Sequence, residues 1–343
     1  MYRNGALLGI MVATRKIRKS SLINYLRHNT THLNLFCFTP ADIDWQRNRI
    51  TGLHRSRGKW AISIFPFPKV IYNRCYELKQ EMIEQLEAII GRNKCFNHIN
   101  HLNKYETHNH LTKSLVPYLP ETLPFDRKNA VEMLAAHKLL YLKPCYGNKG
   151  KGVYRIELKD SGEIHIGEHY IQPSIIASNI PQFLESVQTL LGSETYIIQR
   201  GVPTQRLAGR IFDIRVLVQK NKTGIWSVTS VISRVAYKGC FNTSIFEKMC
   251  SSIEAFNYLY PQEQAGAILN RIHEISLQAA KTIETGSGLH LGELSVDLAL
   301  DNDCHPWIIE VNGKPQKSLY QAFRNKSTVY KRPLEYAHFL QNR

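Results

Sequence analysis

The sequence has few acidic residues, no long apolar run and no closely spaced cysteine pair. Each of these shortages excludes some classes of protein. Its 343 residues hold 28 aspartates and glutamates against 44 lysines and arginines, a formal net charge of +16. Such an excess favours polyanionic partners, among them nucleotides, nucleic acids, acidic polymers and anionic surfaces. No apolar run approaches the ~20 residues that a membrane-spanning helix needs, so we expect no such helix.

The seven cysteines are scattered along the chain and odd in number, which argues against a disulfide framework. No two of them have the CxxC spacing of a thiolate zinc site. A reducing, cytoplasmic setting fits this cysteine usage. Basic residues follow the apolar residues 6–13, whereas in a secretory signal they would precede them, so we predict a buried strand there.

The chain divides into three segments by its pattern of strands, helices and prolines. Residues 1–95 alternate short apolar runs with helical stretches, which predicts a small α/β domain with a parallel sheet. Residues 96–200 hold an Asn- and His-rich junction, a proline-containing extended stretch, and then a helix, a strand and a glycine loop. Residues 201–343 hold long strands and a long helix. Together the three segments predict a mixed α/β (α+β) fold class.

Two final strands, at residues 292–300 and 306–312, carry acidic side chains within apolar sequence. Side chains alternate across a strand, so Asp297 lies opposite the leucines and valines of the first strand. On the second strand, Glu310 and Asn312 share the polar face. The apolar face of that strand is expected to consist of Trp307, Ile309 and Val311.

These acidic residues predict a magnesium site if the two strands form a hairpin. With Asp301 paired to Pro306 across a four-residue turn, Asp297 falls directly across from Glu310. Opposed carboxylates repel unless a cation bridges them, and oxygen ligands suit Mg²⁺. The amide of Asn312 would add a third oxygen. The alternative is an ordinary solvent-facing sheet surface.

A glycine-rich loop follows a strand that ends near Lys143. The loop residues are Gly147, Asn148, Lys149, Gly150, Lys151 and Gly152. Closely spaced glycines let the backbone bend and bring its N–H groups to an anion, and lysines supply charges suited to phosphate. The Walker spacing is absent, and an ordinary hairpin turn is the alternative.

A later strand places Asp213 and Arg215 on one face. Arg215 is suited to stabilising charge on a transferring phosphoryl group, with Asp213 orienting it. The alternative is a cross-strand salt bridge that contributes little. Four histidines earlier in the chain favour an exposed junction helix over a metal site, because no carboxylate or thiolate has a suitable spacing. They are His98, His101, His108 and His110.

The order of these elements resembles that of the ATP-grasp superfamily: a lysine, a strand lysine with a glycine loop, a Gln-containing hinge, an Asp-Ile-Arg strand and an Asp…Glu-x-Asn hairpin. Finer features are similar to the YheC/YheD family of endospore coat-associated ATP-grasp proteins of spore-forming bacteria. Those features are Val70-Ile71-Tyr72-Asn73-Arg74, Leu119-Pro120-Glu121-Thr122, Phe212-Asp213-Ile214-Arg215 and Glu310-Val311-Asn312-Gly313-Lys314-Pro315. The resemblance covers nearly the whole chain.

The resemblance implies an ATP-grasp fold in which residues 1–95 form an N-terminal α/β pre-ATP-grasp domain. Residues 96–200 would be the lid-bearing subdomain with its linker, and residues 201–343 the C-terminal subdomain for magnesium and substrate.

It also implies how ATP binds. Lys104 and Lys143 would contact the phosphates, and residues 147–152 would form the mobile loop over the β- and γ-phosphates, with Asp213 also in the nucleotide site. The hinge would run from Gln199 to Val202, with backbone groups on the adenine edge. Arg200, within it, stands where many relatives carry an acidic group for the ribose.

The remaining implied roles concern the metal and the substrate. The magnesium ligands would be Asp297, Glu310 and Asn312. Arg215 would steady the transition state, and Lys314 would meet the substrate carboxylate. Serine is common in the family where this chain has Gly313.

The implied activity is that of a ligase, which uses Mg-ATP to convert a carboxylate to an acyl phosphate for attack by an amine or similar nucleophile. The basic excess favours an acidic or peptide-like substrate. One alternative is a non-catalytic ATP-binding structural or regulatory protein of the spore coat. Another, a basic nucleic-acid or polyanion binder, is weaker because no finger, basic zipper or RNA-recognition signature is present.

Overall fold

The computed structural model describes residues 6–147 and 149–343, and these residues form three β-sheets with helices packed against them. The strands are β1 (Leu7–Met11), β2 (Asn34–Phe38), β3 (Ile43–Asp44), β4 (Arg49–Ser56), β5 (Lys59–Pro66), β6 (Val70–Asn73), β7 (Cys95–Phe96), β8 (Thr122–Pro124), β9 (Leu139–Pro144), β10 (Tyr154–Leu158), β11 (Ile164–Glu168), β12 (Ile175–Ala177), β13 (Tyr196–Arg200), β14 (Arg206–Leu207), β15 (Arg210–Lys220), β16 (Trp226–Ala236), β17 (Phe246–Ser251), β18 (Glu293–Leu300) and β19 (Pro306–Asn312). The α-helices are α1 (Arg18–Arg27), α2 (Gln80–Ile90), α3 (Lys104–Leu111), α4 (Arg127–His137), α5 (Ile180–Leu191), α6 (Ser252–Leu259), α7 (Gln262–Ser287) and α8 (Lys326–Gln341). Within this described part, no helix combines the length and the apolar character needed to cross a bilayer.

The first sheet has the order β3-β4-β2-β1-β6-β7, with β5 paired to β4. The strands β2, β1, β6 and β7 are parallel, as the alternation of strands and helices predicts. The hairpin of β4 and β5 is antiparallel, so the prediction of a parallel sheet is wrong for this part. Arg57 and Gly58 both have positive φ, +47° and +81°, which closes this hairpin with a tight turn.

The second sheet, β12-β11-β10-β9-β13-β8, is covered by α4 and α5. The third sheet, β17-β16-β15-β18-β19, is antiparallel throughout, with β14 paired to β15. Each sheet draws its strands from one continuous stretch, residues 7–96, 122–200 and 206–312. The three-domain division of the chain is compatible with this order and stays a prediction.

The long strands of the third sheet present two different faces. Even-numbered residues of β15 and β18, such as Val216 and Leu298, pack in a core with α7. Helix α7 fits that core because its apolar residues recur every three or four positions, at Ile268, Ile272 and Ile275 among others. The odd-numbered residues of both strands therefore face the opposite side, where the polar side chains lie.

Helix α8 returns to the first sheet and packs between it and the third. Its Leu334 and Ala337 share a core with Leu8 and Ile10 of β1 and with Leu217 of β15. The C-terminal helix thus ties the N-terminal sheet to the sheet that carries the acidic residues.

A buried ion cluster lies at the same junction. Glu293 of β18 is fully buried and accepts hydrogen bonds from Tyr72, from Arg74 (2.5 Å) and from Gln219 (2.8 Å). The Lys317 ammonium lies 2.8 Å from Oε2, the oxygen that also accepts the bond from Gln219. Burial alone raises the pKa of Glu293, but Lys317 and Arg74 outweigh burial and lower it to about 2. Glu293 is therefore an ionised anchor between the first and third sheets.

Replacing this anchor with its neutral isostere, Glu293→Gln, leaves two buried cations without their counter-charge. We expect the free energy of unfolding in urea to fall by about 3 kcal/mol. The matched control is Glu132→Gln in α4, which removes an exposed ion pair with Lys128 and should cost about 0.5 kcal/mol or less. Equal unfolding free energies for the two variants would contradict the anchor role.

Candidate active site

A cavity between the second and third sheets gathers most of the residues predicted for the site. Those lining it are Lys104, Lys143, Gly147, Lys149, Gly150, Lys151, Gln199, Arg200, Val202, Asp213, Arg215, Asp297, Glu310 and Asn312. Two predicted residues, Gly152 and Lys314, are not among its lining. Asn148 of the glycine loop lies outside the described residues.

Asp297 and Glu310 are direct cross-strand partners, as predicted, but the hairpin reaches this pairing by a different register. Pro306 pairs with Leu300, so the predicted pairing of Asp301 with Pro306 is wrong by one residue. A β-bulge between the pairs Asp297–Glu310 and Leu298–Ile308 inserts one extra residue in β19, which restores the carboxylate pairing.

The extra residue also changes which side chains enter the core. Ile308 and Val311 are buried against α7, whereas Ile309 lines the cavity, so the predicted apolar face with Ile309 is wrong. The cause lies in the turn, where the carboxylate of Asp301 accepts backbone N–H bonds from two turn residues. It also accepts the indole N–H of Trp307, at 2.8 Å. Asp301 therefore belongs to the turn and not to β18, and the bulge offsets the resulting one-residue shift in register.

Two arginines neutralise Asp297. Arg215 donates to both carboxylate oxygens, at 2.7 and 2.5 Å, and Arg234 donates to one of them at 3.1 Å. Burial raises the pKa of Asp297, but Arg215 and Arg234 outweigh burial, so the pKa is lowered. Asp297 is thus ionised, as a metal ligand must be.

Asp213 lies beside Arg234 and not beside Arg215, because Asp213 and Arg234 are cross-strand partners while Arg215 pairs with Asp297. Its carboxylate accepts two hydrogen bonds from Arg234 and one from the Thr243 hydroxyl, at 2.6 Å. The expectation that Asp213 orients Arg215 directly is therefore wrong. Asp213 holds the second arginine, Arg234, which the sequence analysis missed. A lone arginine near the end of an apolar strand was the available signal.

Lysines offset the negative charge of the other carboxylate, Glu310, and line the part of the cavity next to the glycine loop. The Lys104 ammonium, at the start of α3, lies 3.2 Å from Glu310 and 3.3 Å from the carbonyl oxygen of Gly147. Lys143 is only 8% exposed and donates to the side-chain oxygen of Gln199 at 2.5 Å. Burial is the main reason that the pKa of Lys143 falls to about 8. Gln199 therefore contributes its side chain to the site, in addition to the hinge backbone that was predicted.

The glycine loop needs its glycines for two different reasons. Lys149, Gly150 and Gly152 all have positive φ, between +57° and +70°, which glycine adopts without strain. A Cβ on Gly150 would lie 2.5 Å from Ser244, so the close approach to the loop between β16 and β17 also requires glycine. A Cβ on Gly152 would lie 2.8 Å from the Tyr196 hydroxyl, so Gly152 shapes the base of the loop behind the cavity.

The hinge side of the cavity is apolar and aromatic. Tyr141 pairs with Gln199 across β9 and β13, and its ring centroid lies 5.6 Å from that of Phe241. The guanidinium of Arg200 lies over the Trp307 ring at 4.9 Å. Flat apolar walls next to a group of lysines and carboxylates suit a nucleotide, with the base on the walls and the phosphates on the charges.

Lys314 lies away from this cavity, toward the first sheet. Its ammonium is 5.6 Å from the ring of Tyr76, and burial followed by nearby Arg74 lowers its pKa. Its contact with a substrate carboxylate stays a prediction. The presence of glycine at the preceding position, Gly313, has a steric explanation, since a Cβ there would lie 2.9 Å from the carbonyl oxygen of Asn100. A serine does not fit at this position without a shift of the backbone.

The four histidines do not form one group. Helix α3 contains only His108 and His110, so the predicted junction helix is shorter than the histidine-rich segment. His98 instead lies with Glu87 and His290 in a trio whose ligand atoms could hold a metal ion. The backbone N–H of His290 donates to Nδ1 of His98, which places the proton on Nε2, 3.2 Å from Glu87. Both ring nitrogens of His290 also have hydrogen-bond partners. We therefore interpret the trio as a structural hydrogen-bonded cluster and not as a metal site.

The comparisons with known proteins agree with this geometry. The profile of the YheC/D-like ATP-grasp family matches residues 92–340. The chain belongs to this family.

The YheC/D-like chain is 26% identical over 327 residues to the endospore coat-associated protein YheD of Bacillus subtilis (strain 168), covering 90% of this chain and 71% of YheD. It is 25% identical over 319 residues to YheC of the same organism, with coverages of 88% and 87%. The crystal structure of the D-Ala:D-Ser ligase VanG from Enterococcus faecalis superimposes with a TM-score of 0.58 and 12% identity, covering 98% of this chain and 100% of VanG. That likeness shows the ATP-grasp fold.

The lowered pKa of Lys143 predicts a pH-dependent affinity for ADP. Its ammonium is half deprotonated near pH 8, facing Glu310, Lys104 and Asp297, and a bound phosphate would raise its pKa again. ADP affinity should therefore fall as the pH rises from about 7 to 9, and binding near pH 8 should take up protons. Calorimetric titration with ADP in buffers of different ionisation enthalpy measures both effects.

The control for this experiment is Lys143→Arg, whose guanidinium stays charged over that range. Proton uptake should be strongly reduced in the variant. The same proton uptake in both proteins would show that another group titrates.

Proposed function

We propose that this protein is an ATP-dependent carboxylate–amine ligase whose nucleotide site is the cavity between the second and third sheets. The observation that supports it most is the facing pair of Asp297 and Glu310 in a cavity that Lys104, Lys143, Arg215 and Arg234 also line. Such an arrangement suits a ligand that brings both a divalent cation and several negative charges, which describes Mg-ATP.

The donor set fits magnesium. Asp297, Glu310 and Asn312 line the same cavity and offer two carboxylates and one amide oxygen, the oxygen donors that Mg²⁺ prefers, with no thiolate or imidazole among them. These three residues would hold the ion, which when bound would neutralise charge on the phosphates.

The basic side chains have separate tasks in this proposal. Lys104 and Lys143 would bind phosphate oxygens from below, and Lys149 and Lys151 would do so from the glycine loop. Arg215 would face the transferring phosphoryl group, because it lies beside Asp297 at the cavity floor. Positioning and charge neutralisation supply the rate acceleration, so no covalent nucleophile of the protein is needed.

The reaction has two steps. A carboxylate oxygen of the substrate attacks the γ-phosphorus, and the bond from that phosphorus to the ADP oxygen breaks. An amine nitrogen then attacks the carbonyl carbon of the acyl phosphate, phosphate leaves, and the nitrogen loses a proton to solvent or a nearby base. The basic surface of the chain favours an acidic or peptide-like carboxylate substrate.

A second candidate function is a non-catalytic ATP-binding role at the spore coat. The relatives YheD and YheC, both named endospore coat-associated, favour this candidate and a spore-associated location. ATP binding with no ADP release across a broad screen of acids and amines would support it over the ligase.

A magnesium-dependent screen for ADP release over amino acids and acidic peptides, with products identified by mass, tests the ligase proposal. With the substrate found, Glu310→Gln should lower turnover by about 10²-fold or more, because one of the proposed metal ligands loses its charge. The matched control is Glu274→Gln on the exposed surface of α7, which should leave turnover unchanged. Full activity in the Glu310 variant would contradict the assigned metal site.

A further inference from the structure

The positive charge of this protein is concentrated at its N-terminal end. The first 76 residues contain thirteen lysines and arginines but only two acidic residues, Asp42 and Asp44. This part of the chain therefore carries most of the net charge of +16, although it holds less than a quarter of the residues.

Both acidic residues are already neutralised. Asp42 is buried and accepts hydrogen bonds from Arg15 at 2.8 Å and Arg18 at 3.4 Å. Asp44 pairs with Arg47. The remaining exposed cations have no carboxylate partner within residues 6–147 and 149–343. They are Lys16, Lys19, Arg27, Arg49, Arg55, Arg57, Lys59 and Lys69.

Several of these cations flank an apolar patch on the β4–β5 hairpin. Cross-strand pairing puts Leu53 beside Ile62 and Thr51 beside Ile64, on the outer face of the hairpin. Both isoleucines are 62% exposed. The pairs at either end of the same face, Arg55 with Trp60 and Arg49 with Pro66, supply the flanking arginines.

Helix α1 extends the same surface. The Lys19 ammonium lies 5.7 Å from the ring centre of Trp60, so the two basic segments of the sequence meet there. Ile17, next to Lys16 in the chain, is a third exposed isoleucine at 39%. We call this surface the hairpin face. It consists of Lys16, Ile17, Lys19, Arg49, Arg55, Trp60, Ile62 and Ile64.

We propose that the hairpin face binds an anionic phospholipid surface. The isoleucines would enter the boundary between headgroups and acyl chains, and the lysines and arginines would lie among the lipid phosphates. Trp60, half-buried beneath Lys19, would lie at the level of the headgroups, as tryptophan commonly does. A membrane explains the cations and the exposed aliphatic side chains together.

Two other binding partners would explain fewer features of this surface. A nucleic acid would use the cations, but exposed isoleucines offer neither stacking nor hydrogen bonds to bases. A second copy of this chain could pair along β5, whose other edge has no strand partner in the described sheets. Such a pairing would rest on backbone hydrogen bonds along the strand edge, and it would leave the cations of Arg49, Arg55 and α1 without a counter-charge.

Co-sedimentation of the full chain with vesicles tests this proposal. The vesicles are phosphatidylcholine alone, or an equimolar mixture of phosphatidylglycerol and phosphatidylcholine. The wild-type protein should bind the anionic vesicles, bind the neutral ones at least tenfold more weakly, and dissociate as salt is raised. Arg49→Glu combined with Arg55→Glu should weaken binding to the anionic vesicles by about tenfold or more.

Two further variants separate charge from apolar contact. Ile62→Ser combined with Ile64→Ser should also weaken vesicle binding severalfold, although its net charge is unchanged. The matched control, Lys222→Glu combined with Lys281→Glu, makes the same change of net charge at exposed sites outside the hairpin face and should bind like wild type. ADP binding in all variants reports that the fold is intact.

Three results would overturn the proposal. The first is that wild-type protein fails to bind anionic vesicles, and the second is that the control variant loses as much binding as the hairpin variants. The third is that the isoleucine variant dissociates a dimer, or the charge variant releases an oligonucleotide, while vesicle binding stays the same.

Discussion

Two carboxylates, Asp297 and Glu310, face each other on adjacent strands, and their mutual repulsion sets the requirement that the surrounding site must meet. In the protein alone this repulsion is offset by cations on both sides, with Arg215 and Arg234 at Asp297 and Lys104 at Glu310. Under the proposed function, Asp297, Glu310 and Asn312 would hold a magnesium ion, and the lysine and arginine side chains would then be available to the phosphates.

Strand β18 carries the structural anchor as well as the site. Glu293 and Asp297 lie four residues apart, so both point to the face away from α7. Glu293 is compensated by Arg74 and Lys317, at the junction with the first sheet and α8. The N-terminal sheet and the candidate cavity are therefore both tied to β18, which links stability to the position of the proposed metal ligand.

Much of this arrangement could be predicted from sequence, because alternation and local order determine it. The facing carboxylates and the glycine loop follow from short segments of the chain. The bulge at Ile309 could not be predicted, since both registers place Asp297 opposite Glu310. The pairing of Arg234 with Asp213, and the return of α8 to β1, depend on contacts between distant parts of the chain.

The most direct test is a crystal structure with Mn²⁺ and a non-hydrolysable ATP analogue, in which anomalous scattering locates the metal. We expect the anomalous peak to lie between the carboxylates of Asp297 and Glu310, next to Asn312 and the phosphates of the analogue. A nucleotide bound outside this cavity, or a manganese ion held by other residues, would contradict the account.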